Sequence, residues 1–356
     1  MRNVTQPGLR RRAAAVVMLL GSLGPAGSVV AAPDFAPRQA GSEAAALVEA
    51  LSEQGLPRDY LVETLSQARV RQEVLDAMSG AVERHLEWPQ YRAIFLTDER
   101  IDQGAAFMAR HQYALDKAQA EYGVPPAVIT AIIGVETFYG RYKGKHRVLD
   151  SLATLAFKHP ERGAFFRGEL AAFLRIAHAQ EMDPQALRGS YAGAMGYPQF
   201  IPTSYDAYAV DFDDDGKRDL WHNPVDAIGS VANYLAEHGW RRGEAVYQSA
   251  LGPETPPNSI ALNQTSAPQT TLTEAVAAGI YPPGSAFAES LSSGARPVVP
   301  LRFTMTAGAP QYRLGGYNFY VITRYNHSHL YAMAVAELAR AIAAAAPPLP
   351  ENEESA

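Results

Sequence analysis

The sequence predicts a mainly α-helical protein with a small inserted β domain. Apolar residues recur at helical spacing, between capping residues and glycines, over most of residues 43–238. Between residues 250 and 300 this periodicity is lost and Pro, Thr, Ser, Asn and Gly become frequent, which indicates a mostly β or irregular insert. With 356 residues the chain exceeds the usual size of one domain, so we expect two or three subdomains.

Residues 1–31 have the features of a signal peptide. An apolar run at 13–23 is too short to cross a bilayer, and Ala31 suits cleavage. The basic start that precedes this run leaves the Sec and twin-arginine export routes both open. It contains four arginines: Arg2, Arg10, Arg11 and Arg12.

Composition narrows the class of protein further. The chain contains no cysteine, so we expect no disulfide, no thiolate metal site and no lipid-anchored cysteine. No other segment has the length and apolar character of a transmembrane helix. Loss of the signal peptide removes four arginines and no acids, which takes the formal charge from −6 to −10 and argues against nucleic-acid binding. We therefore expect an exported, periplasmic protein.

Residues 32–96 are predicted to form a leader followed by a helical domain. Ser42 is a typical N-cap and Gly55 a typical end for the helix between them. A second helix is predicted after Pro57 and a third at 72–85, and residues 88–91 interrupt the pattern.

Residues 97–245 are predicted to be the catalytic core, and one helix within them carries an unusual carboxylate. Thr97 caps a long helix that ends near Gly123, and Pro126 then fits the first turn of the next helix. This next helix is apolar nearly all round until Glu136, so it should be buried. Apolar neighbours one turn away should strip water from Glu136 and raise its pKa, although a helix-end Glu can also extend to solvent.

The remainder of this region continues as helices separated by two distinctive loops. Helices are predicted at 150–157, 162–179, 204–209 and 224–238, with a short one opening at residues 183–184. The first loop contains Gly189, Gly193 and Gly196. These glycines permit either the close approach of a ligand or tight helix packing.

The second loop resembles an EF-hand calcium loop. Asp211, Asp213 and Asp215 occupy positions one, three and five, Gly216 is at six, and Lys217 at seven would offer its backbone carbonyl. Position twelve is a histidine in place of the usual glutamate, so Asp226 is the nearest acid that can complete the site. Asp226 is equally explained as a first-turn acid of the next helix, and the Asp cluster as a solvated turn.

The C-terminal part is predicted to return from strand to helix. Residues 246–316 form the β-rich insert, with a strand at 298–306. Aromatic and β-branched residues predict a second strand at 317–325, and Asn326 then caps a final helix at 328–345. The predicted C-terminal strand and helix span 317–346, and residues 347–356 are predicted to be a disordered acidic tail.

Four segments occur in the order found in the lytic murein transglycosylase B family, which this chain resembles along residues 46–345. They are residues 133–137, 193–200, 211–219 and 324–328. Members are exported enzymes that cut bacterial peptidoglycan. The resemblance implies a lysozyme-like helical core flanked by an α domain and a small β domain.

The resemblance also implies a mechanism in which Glu136 is the sole catalytic carboxylate. It would first protonate the oxygen between N-acetylmuramic acid and N-acetylglucosamine. It would then accept the proton of the muramic C6 hydroxyl, which attacks its own anomeric carbon and forms a 1,6-anhydro ring. Most glycosidases instead use two carboxylates.

Further site residues follow from the same resemblance. It implies a structural Ca²⁺ held by Asp211, Asp213, Asp215, the Lys217 carbonyl and Asp226, with no organic cofactor. The implied substrate-binding residues are Ser190, Gln199, Tyr91, Tyr234, Tyr325, Asn326 and Tyr331, with Arg162 for a carboxylate of the peptide stem or lactyl group.

The expected partners are peptidoglycan glycan strands, with room for other cell-wall enzymes. Membrane-bound members of the family carry a lipidated cysteine, so this chain is expected to be a soluble form. Two alternatives stay open. One is a lysozyme-type muramidase, for which Asp150 or Glu161 would supply a second carboxylate, and the other is a non-catalytic scaffold that binds peptidoglycan.

Overall fold

Helices make up most of the computed structural model, which describes residues 34–80, 86–284 and 296–346. Its N-terminal part contains α1 Glu43–Glu53, α2 Arg58–Ser66, α3 Gln72–Gly80 and α4 Trp88–Phe95. The Ser42 hydroxyl accepts a hydrogen bond from the Ala45 backbone N–H at 3.0 Å, and Gly55 adopts a φ of 95° just after α1. Both predicted limits of this helix are confirmed.

Helix α7 lies inside the helical core and ends at the predicted catalytic residue. It packs against the helices Asp98–Arg110, Gln112–Tyr122, Pro224–Glu237 and His329–Ala345. Ile129, Ile132 and Ile133 have no exposed surface. Burial of one such side chain stabilises the fold by roughly 1.5–3 kcal/mol. The helices of this region are α5 Asp98–Arg110, α6 Gln112–Tyr122, α7 Pro126–Thr137, α8 Val148–Lys158, α9 Gly163–Ala179, α10 Pro202–Tyr208 and α11 Pro224–Glu237.

The predicted β-rich insert contains an antiparallel sheet with its own small core. Strands β3 Tyr247–Ala250, β4 Thr270–Thr271, β5 Pro297–Phe303 and β6 Gln311–Gly315 lie in the order β3-β6-β5-β4. Val299 pairs with Gly315, and Thr270 pairs with Val298. Helix α12 Leu272–Ala277 packs against β4 and β5. A separate two-stranded sheet joins β1 His146–Arg147 to β2 Arg188–Gly189.

Residues 317–325 are a helix, so the strand predicted there is wrong. Helix α13 Tyr317–Tyr325 precedes α14 His329–Ala345, whose N-cap is Ser328, while Asn326 is the C-cap of α13. Phe319 and Ile322 are three residues apart and fully buried. That spacing is helical, and packing outweighs the β propensity of the aromatic and β-branched residues.

Three smaller predictions also need correction. Residues 88–91 begin α4, because Glu87 and Gln90 form a capping box around the helix start. The long helix after Thr97 is divided into α5 and α6, since His111 leaves the helical conformation with ψ at 24°. Residues 184–186 form a turn in place of the short helix expected there.

Several sequence predictions lie outside the described residues. They are the signal peptide, residues 81–85 of the third predicted helix, and the tail at 347–356. Within the described ranges, no helix has both the length and the apolar character that crossing a bilayer requires. The domain limits at residues 96, 245 and 316 stay predictions.

Candidate functional site

The end of α7 presents Glu136 from a tightly fixed turn. Phe138 and Tyr139 both adopt left-handed backbone conformations, with φ of 51° and 59°. The Tyr139 hydroxyl donates to the Arg100 carbonyl at 2.7 Å, and its ring lies so close to Gly134 that a Cβ there would be 2.6 Å away. Gly134 therefore makes room for the ring that fixes the chain after Glu136.

Glu136 is partly exposed as a residue, yet its carboxyl is closely surrounded by protein. Desolvation raises its pKa from 4.5 to about 7, and a hydrogen bond from the Tyr331 hydroxyl acts in the opposite direction. That hydroxyl donates to Glu136 Oε1 at 2.6 Å. Partial exposure keeps the carboxyl within reach of a ligand, and the raised pKa keeps much of it protonated near neutral pH.

Tyrosines from the C-terminal helices surround this carboxyl. The Tyr331 and Tyr325 rings are nearly parallel, at 11°, with centroids 6.4 Å apart. Burial and the Glu136 charge raise the pKa of both phenols well above 10, so both are neutral donors. Tyr325 donates to the Pro198 carbonyl at 2.7 Å and packs edge-on against Tyr234.

Tyr234 has a different position from the other predicted tyrosines. It is only 8% exposed, stacks on His238 with centroids 4.1 Å apart, and donates to the Arg324 carbonyl at 2.7 Å. Its ring therefore supports Tyr325, and its hydroxyl already has a partner.

A cleft of about 580 Å³ contains two further predicted residues, Tyr91 and Asn326. Burial raises the pKa of Tyr91, and the Glu136 charge contributes to the increase, which indicates that the two groups are near each other. Trp88, Arg302 and His327 also line this cleft. Residues from α4, the β5 strand and the α13–α14 connection thus meet in this cleft, and Tyr91 is the member of its lining that senses the Glu136 charge.

Ser190 and Gln199 shape the glycine-containing loop. Ser190 Oγ accepts from the backbone N–H groups of Ala192 and Ala194 at 3.2 and 3.0 Å. Gln199 adopts a φ of 50°, and its Nε2 donates to the carbonyls of Gly196 and Lys143 at 3.0 and 3.3 Å. Gln199 therefore connects this loop to the segment that follows Glu136.

The glycines of this loop are explained by tight packing. A Cβ at Gly193 would collide with the Leu152 side chain, and one at Gly196 with the Leu220 carbonyl. Of the two interpretations left open by the sequence, these contacts favour close packing of the chain.

The Asp-rich loop and the start of α11 bring three carboxylates together. Oxygens of Asp211, Asp213 and Asp226 lie within 4.8 Å of one another, and Asp226 is fully buried. Desolvation, together with the charges of Asp213 and Asp211, raises the pKa of Asp226 to about 6, although two backbone N–H groups oppose the increase. In the described ranges no lysine or arginine forms an ion pair with any of the three. Such a cluster of oxygen donors fits a divalent cation.

The other predicted ligands have separate contacts. Asp215 accepts from the Lys217 backbone N–H at 2.8 Å and is not part of the three-carboxylate cluster. Asp219, at loop position nine, was not anticipated, and its Oδ1 accepts from the Trp221 and His222 N–H groups. Sequence spacing alone could have indicated Asp219, because position nine is a common water-mediated ligand.

Arg162 and the two alternative carboxylates form no hydrogen bond or ion pair with Glu136 in the described parts of the chain. Arg162 is exposed before α9 and lies over the Phe165 and Phe166 rings. Asp150 is 1% exposed and pairs with Arg71 at 2.7 Å. Glu161 is exposed in the turn before α9.

The segment after Glu136 contains a structural residue that sequence reasoning missed. Lys143 Nζ donates to the Trp221 carbonyl at 2.7 Å and lies 4.3 Å from the Tyr197 ring centroid. Burial lowers the pKa of Lys143. No pattern in the sequence connects Lys143 with Trp221, 78 residues away.

Comparison with known proteins identifies relatives over most of the chain. A family model described as a transglycosylase SLT domain matches residues 39–340. The membrane-bound lytic murein transglycosylase B of Escherichia coli is 42% identical over 306 residues, which cover 83% of this chain and 81% of that protein.

Solved structures agree in sequence and in fold. The soluble lytic transglycosylase SltB1 from Pseudomonas aeruginosa is 43% identical with a TM-score of 0.78, covering 85% of this chain and 98% of that one. An Escherichia coli lytic transglycosylase in complex with calcium is 42% identical with a TM-score of 0.76, covering 85% and 92%. SltB3 from Pseudomonas aeruginosa, in complex with NAG-anhNAM-pentapeptide, is 32% identical with a TM-score of 0.73, covering 84% and 78%.

These matches confirm the mainly helical, lysozyme-like architecture and the resemblance noted in the sequence. They also establish the class of reaction, the non-hydrolytic cleavage of glycosidic bonds in murein. The chain therefore belongs to the transglycosylase SLT domain family of lytic murein transglycosylases.

Proposed function

We propose that this enzyme cleaves the β-1,4 bond between N-acetylmuramic acid and N-acetylglucosamine with Glu136 as its only catalytic carboxylate. The observation that supports this most directly is the desolvated Glu136 carboxyl, with a pKa of about 7 and a hydrogen bond from Tyr331. Such a carboxyl is protonated often enough at neutral pH to act as a general acid.

The proposed reaction uses the same carboxyl twice. The Glu136 proton moves to the bridging oxygen while the bond from that oxygen to the muramic C1 breaks. The carboxylate then takes the proton of the muramic C6 hydroxyl as the C6 oxygen bonds to C1. Glu136 is protonated again, no water is consumed, and the product carries a 1,6-anhydro ring. Between the two steps the Tyr331 hydroxyl stabilises the carboxylate, because a hydrogen bond to the charged form favours it.

We assign the substrate contacts to two groups of residues around Glu136. Tyr91, Tyr325, Tyr331 and Asn326 contact sugar rings or hydroxyls in the cleft of about 580 Å³ and beside it. Tyr234 acts indirectly by supporting the Tyr325 ring.

The second group lies on the side of the glycine-containing loop. Ser190 and Gln199 bind the sugar next to the cleaved bond, and Arg162 stays a proposed contact for a carboxylate. Ser190 and Gln199 already order the loop through backbone contacts, so a sugar would meet preformed positions.

The hydrolytic alternative needs a second carboxylate that can face the sugar cation. Asp150 is a poor candidate because it is buried and shared between Arg71 and Arg147. Glu161 stays open as a candidate, since it is exposed. The scaffold alternative gives no reason for a desolvated, ionisable carboxyl at the end of a buried helix.

We further propose that Asp211, Asp213 and Asp226 hold a structural Ca²⁺, with Asp215 and the Lys217 carbonyl completing the set. A related Escherichia coli enzyme has been solved in complex with calcium. The ion would neutralise three clustered carboxylates and connect the loop after α10 to α11. We assign it no part in the chemical steps.

We place the enzyme in the periplasm as an exported protein, because murein is its substrate and residues 1–31 match an export signal. Glycan strands of peptidoglycan are the proposed partner. Association with other cell-wall enzymes is a further proposal that rests on the shared substrate.

The test is mass spectrometry of the muropeptides released from purified peptidoglycan by the wild type and by Glu136→Gln. We expect anhydromuramyl products from the wild type alone. Products about one water heavier would indicate hydrolysis and would turn attention to Glu161. Binding without any product from the wild type would support the scaffold.

A further inference from the structure

A pocket of about 370 Å³ beside the two-stranded sheet is lined by four cationic side chains: Arg71, Lys145, Arg147 and Arg188. The same pocket contains two acids, Glu73 and Asp150. The local formal charge is therefore +2, whereas the whole chain carries −6. A positive pocket on an acidic protein favours anionic ligands at that place.

Two of the four cations have no ion pair with any residue that the structure describes. Lys145 and Arg188 are exposed, and their side chains make no hydrogen bond or ion pair within residues 34–80, 86–284 and 296–346. The backbone of Arg188 is fixed, because its carbonyl accepts from Trp221 Nε1 at 2.9 Å. Both charges are thus available to a ligand, and the main chain that carries Arg188 is held in place.

The other two cations share a single carboxylate. Asp150 contacts Arg71 at 2.7 Å but Arg147 only at 3.5 Å. Arg147 Nε and Nη2 are buried and have no hydrogen-bond acceptor in the described residues. One carboxylate cannot satisfy two guanidinium groups, so Arg147 retains N–H groups that an additional anionic oxygen would satisfy after a small side-chain movement.

The pocket adjoins the loop that we assign to sugar binding. Arg147 pairs with Arg188 in the two-stranded sheet, and Ser190 is two residues further along the chain. Lys145 is two residues from Lys143, whose carbonyl accepts from Gln199. A group attached to a sugar near Ser190 and Gln199 would therefore be close to the four cations.

We propose that this pocket binds a free carboxylate of the peptide stem that hangs from the glycan strand. The inference rests on the proposed function, because it needs the sugar beside Ser190. Guanidinium groups bind carboxylates with paired, charge-assisted hydrogen bonds, and Lys145 adds a point charge. The pocket would select strands that still carry their stems.

The variant that tests this is Lys145→Met with Arg188→Met, which removes both unpaired charges and keeps side-chain length. Turnover is measured on glycan strands with stems and on strands whose stems have been removed. We expect KM to rise about 10-fold on strands with stems and to stay unchanged on bare strands. Binding of NAG-NAM-pentapeptide, measured by calorimetry, should weaken by a similar factor.

A charge-matched control is Lys158→Met with Arg38→Met. Lys158 ends α8, about 16 Å along that helix from Arg147, and both control side chains are exposed. The control should behave as the wild type on both substrates. Equal losses by the double variant on both substrates would overturn the proposal, and so would unchanged binding of NAG-NAM-pentapeptide.

Calorimetry measures binding and product analysis measures turnover. The proposed reaction and the proposed pocket can therefore be refuted independently. Absence of anhydro product from the wild type refutes the proposed reaction, while the calorimetry still decides on the pocket. A double variant that loses affinity for inorganic phosphate but keeps its affinity for NAG-NAM-pentapeptide would show a phosphate site and overturn the assignment to stem carboxylates.

Discussion

Tyr331 is the residue that controls how strongly Glu136 holds its proton. Desolvation raises the pKa of Glu136, and the hydrogen bond from the Tyr331 hydroxyl limits the increase, so that the pKa is about 7. Tyr331→Phe removes this donor. A hydrogen bond to a charged group contributes roughly 1.5–3 kcal/mol, so we expect the Glu136 pKa to rise by about one to two units. The alkaline limb of the kcat/KM profile should move to higher pH by that amount, and kcat should fall about 10-fold.

The control for this prediction is Tyr325→Phe. Its hydroxyl donates to the Pro198 carbonyl and has no hydrogen bond to Glu136. The alkaline limb should therefore stay in place in this variant, whatever happens to substrate affinity. An unchanged pH profile in Tyr331→Phe would contradict the role given to its hydroxyl.

The negative charge of desolvated Glu136 destabilises the folded state, so the stability of the protein should depend on pH. The pKa is higher in the folded state than the unfolded value of 4.5, so the folded state binds more protons between about pH 4.5 and 7. The stabilisation that comes from this tighter proton binding is fully present below about pH 4.5 and is lost as the pH rises through about 7. Glu136→Gln carries no charge at any pH and should be more stable than the wild type by roughly 1–3 kcal/mol at about pH 8.

Urea unfolding of the wild type and Glu136→Gln at about pH 4.5 and pH 8.5 measures this difference. Other titrating groups are common to both proteins, so they cancel in the comparison. The advantage of the glutamine variant should be small in acid and grow with pH. A difference that is independent of pH would mean that Glu136 is not desolvated in solution.

At the scale of single elements, the end of α7 depends on a glycine that has no chemical role. A Cβ at Gly134 would be 2.6 Å from the Tyr139 ring, which is held by its hydrogen bond to Arg100. Gly134→Ala should therefore destabilise the fold by about 1–3 kcal/mol, although Ala normally favours a helix. Activity should fall further than stability predicts, because the displaced turn directly follows Glu136.

Gly168→Ala is the matched control for this substitution. Gly168 is exposed in α9, and a Cβ there would meet nothing within 4 Å. We expect this variant to gain up to about 1 kcal/mol and to keep full activity. Chemical denaturation and turnover measured side by side would separate the two cases, and a stable, active Gly134→Ala would refute the argument.

Local signals predicted most helices, and tertiary packing explains the failures. Caps and glycines such as Ser42 and Gly55 act on their own helix, so they can be read from sequence. Residues 317–325 have the composition of a strand, yet they form a helix because Phe319 and Ile322 are buried together. No local rule reveals a core that distant elements supply.

The candidate site also combines features that the sequence predicted with features that only the fold brings together. The sequence predicted a raised pKa for Glu136 from its apolar neighbours on one helix, and in the structure burial raises that pKa. The Tyr331 hydrogen bond joins residues 195 positions apart, and only the resemblance to a known family brought Tyr331 into the site before the structure did. The unpaired cations near Ser190 were not anticipated, because Lys145 and Arg188 come together only in the fold.

At the scale of the whole molecule, the Asp cluster connects the loop after α10 to the start of α11. Asp226 at the start of α11 accepts from the backbone N–H groups of Phe212 and Asp219, and it faces Asp211 and Asp213. Without a cation the three carboxylates repel one another, and the repulsion opposes folding. A bound Ca²⁺ should therefore stabilise the global fold and leave the chemistry at Glu136 unchanged.

Thermal unfolding with EGTA and with Ca²⁺ tests this directly. At a hundredfold excess over Kd, binding to the folded state alone adds about 2.7 kcal/mol, which should raise Tm by about 3–5 °C. Asp211→Asn should lose most of this increase. Asp214→Asn removes the same charge from the same loop and should keep the increase, because Asp214 is 88% exposed and is not part of the cluster. Mg²⁺ should give a smaller increase, since it requires a tighter octahedral geometry than Ca²⁺. If Ca²⁺ raised Tm equally in Asp211→Asn and Asp214→Asn, the cluster would not be the binding site, because the effect would depend only on the charge of the loop.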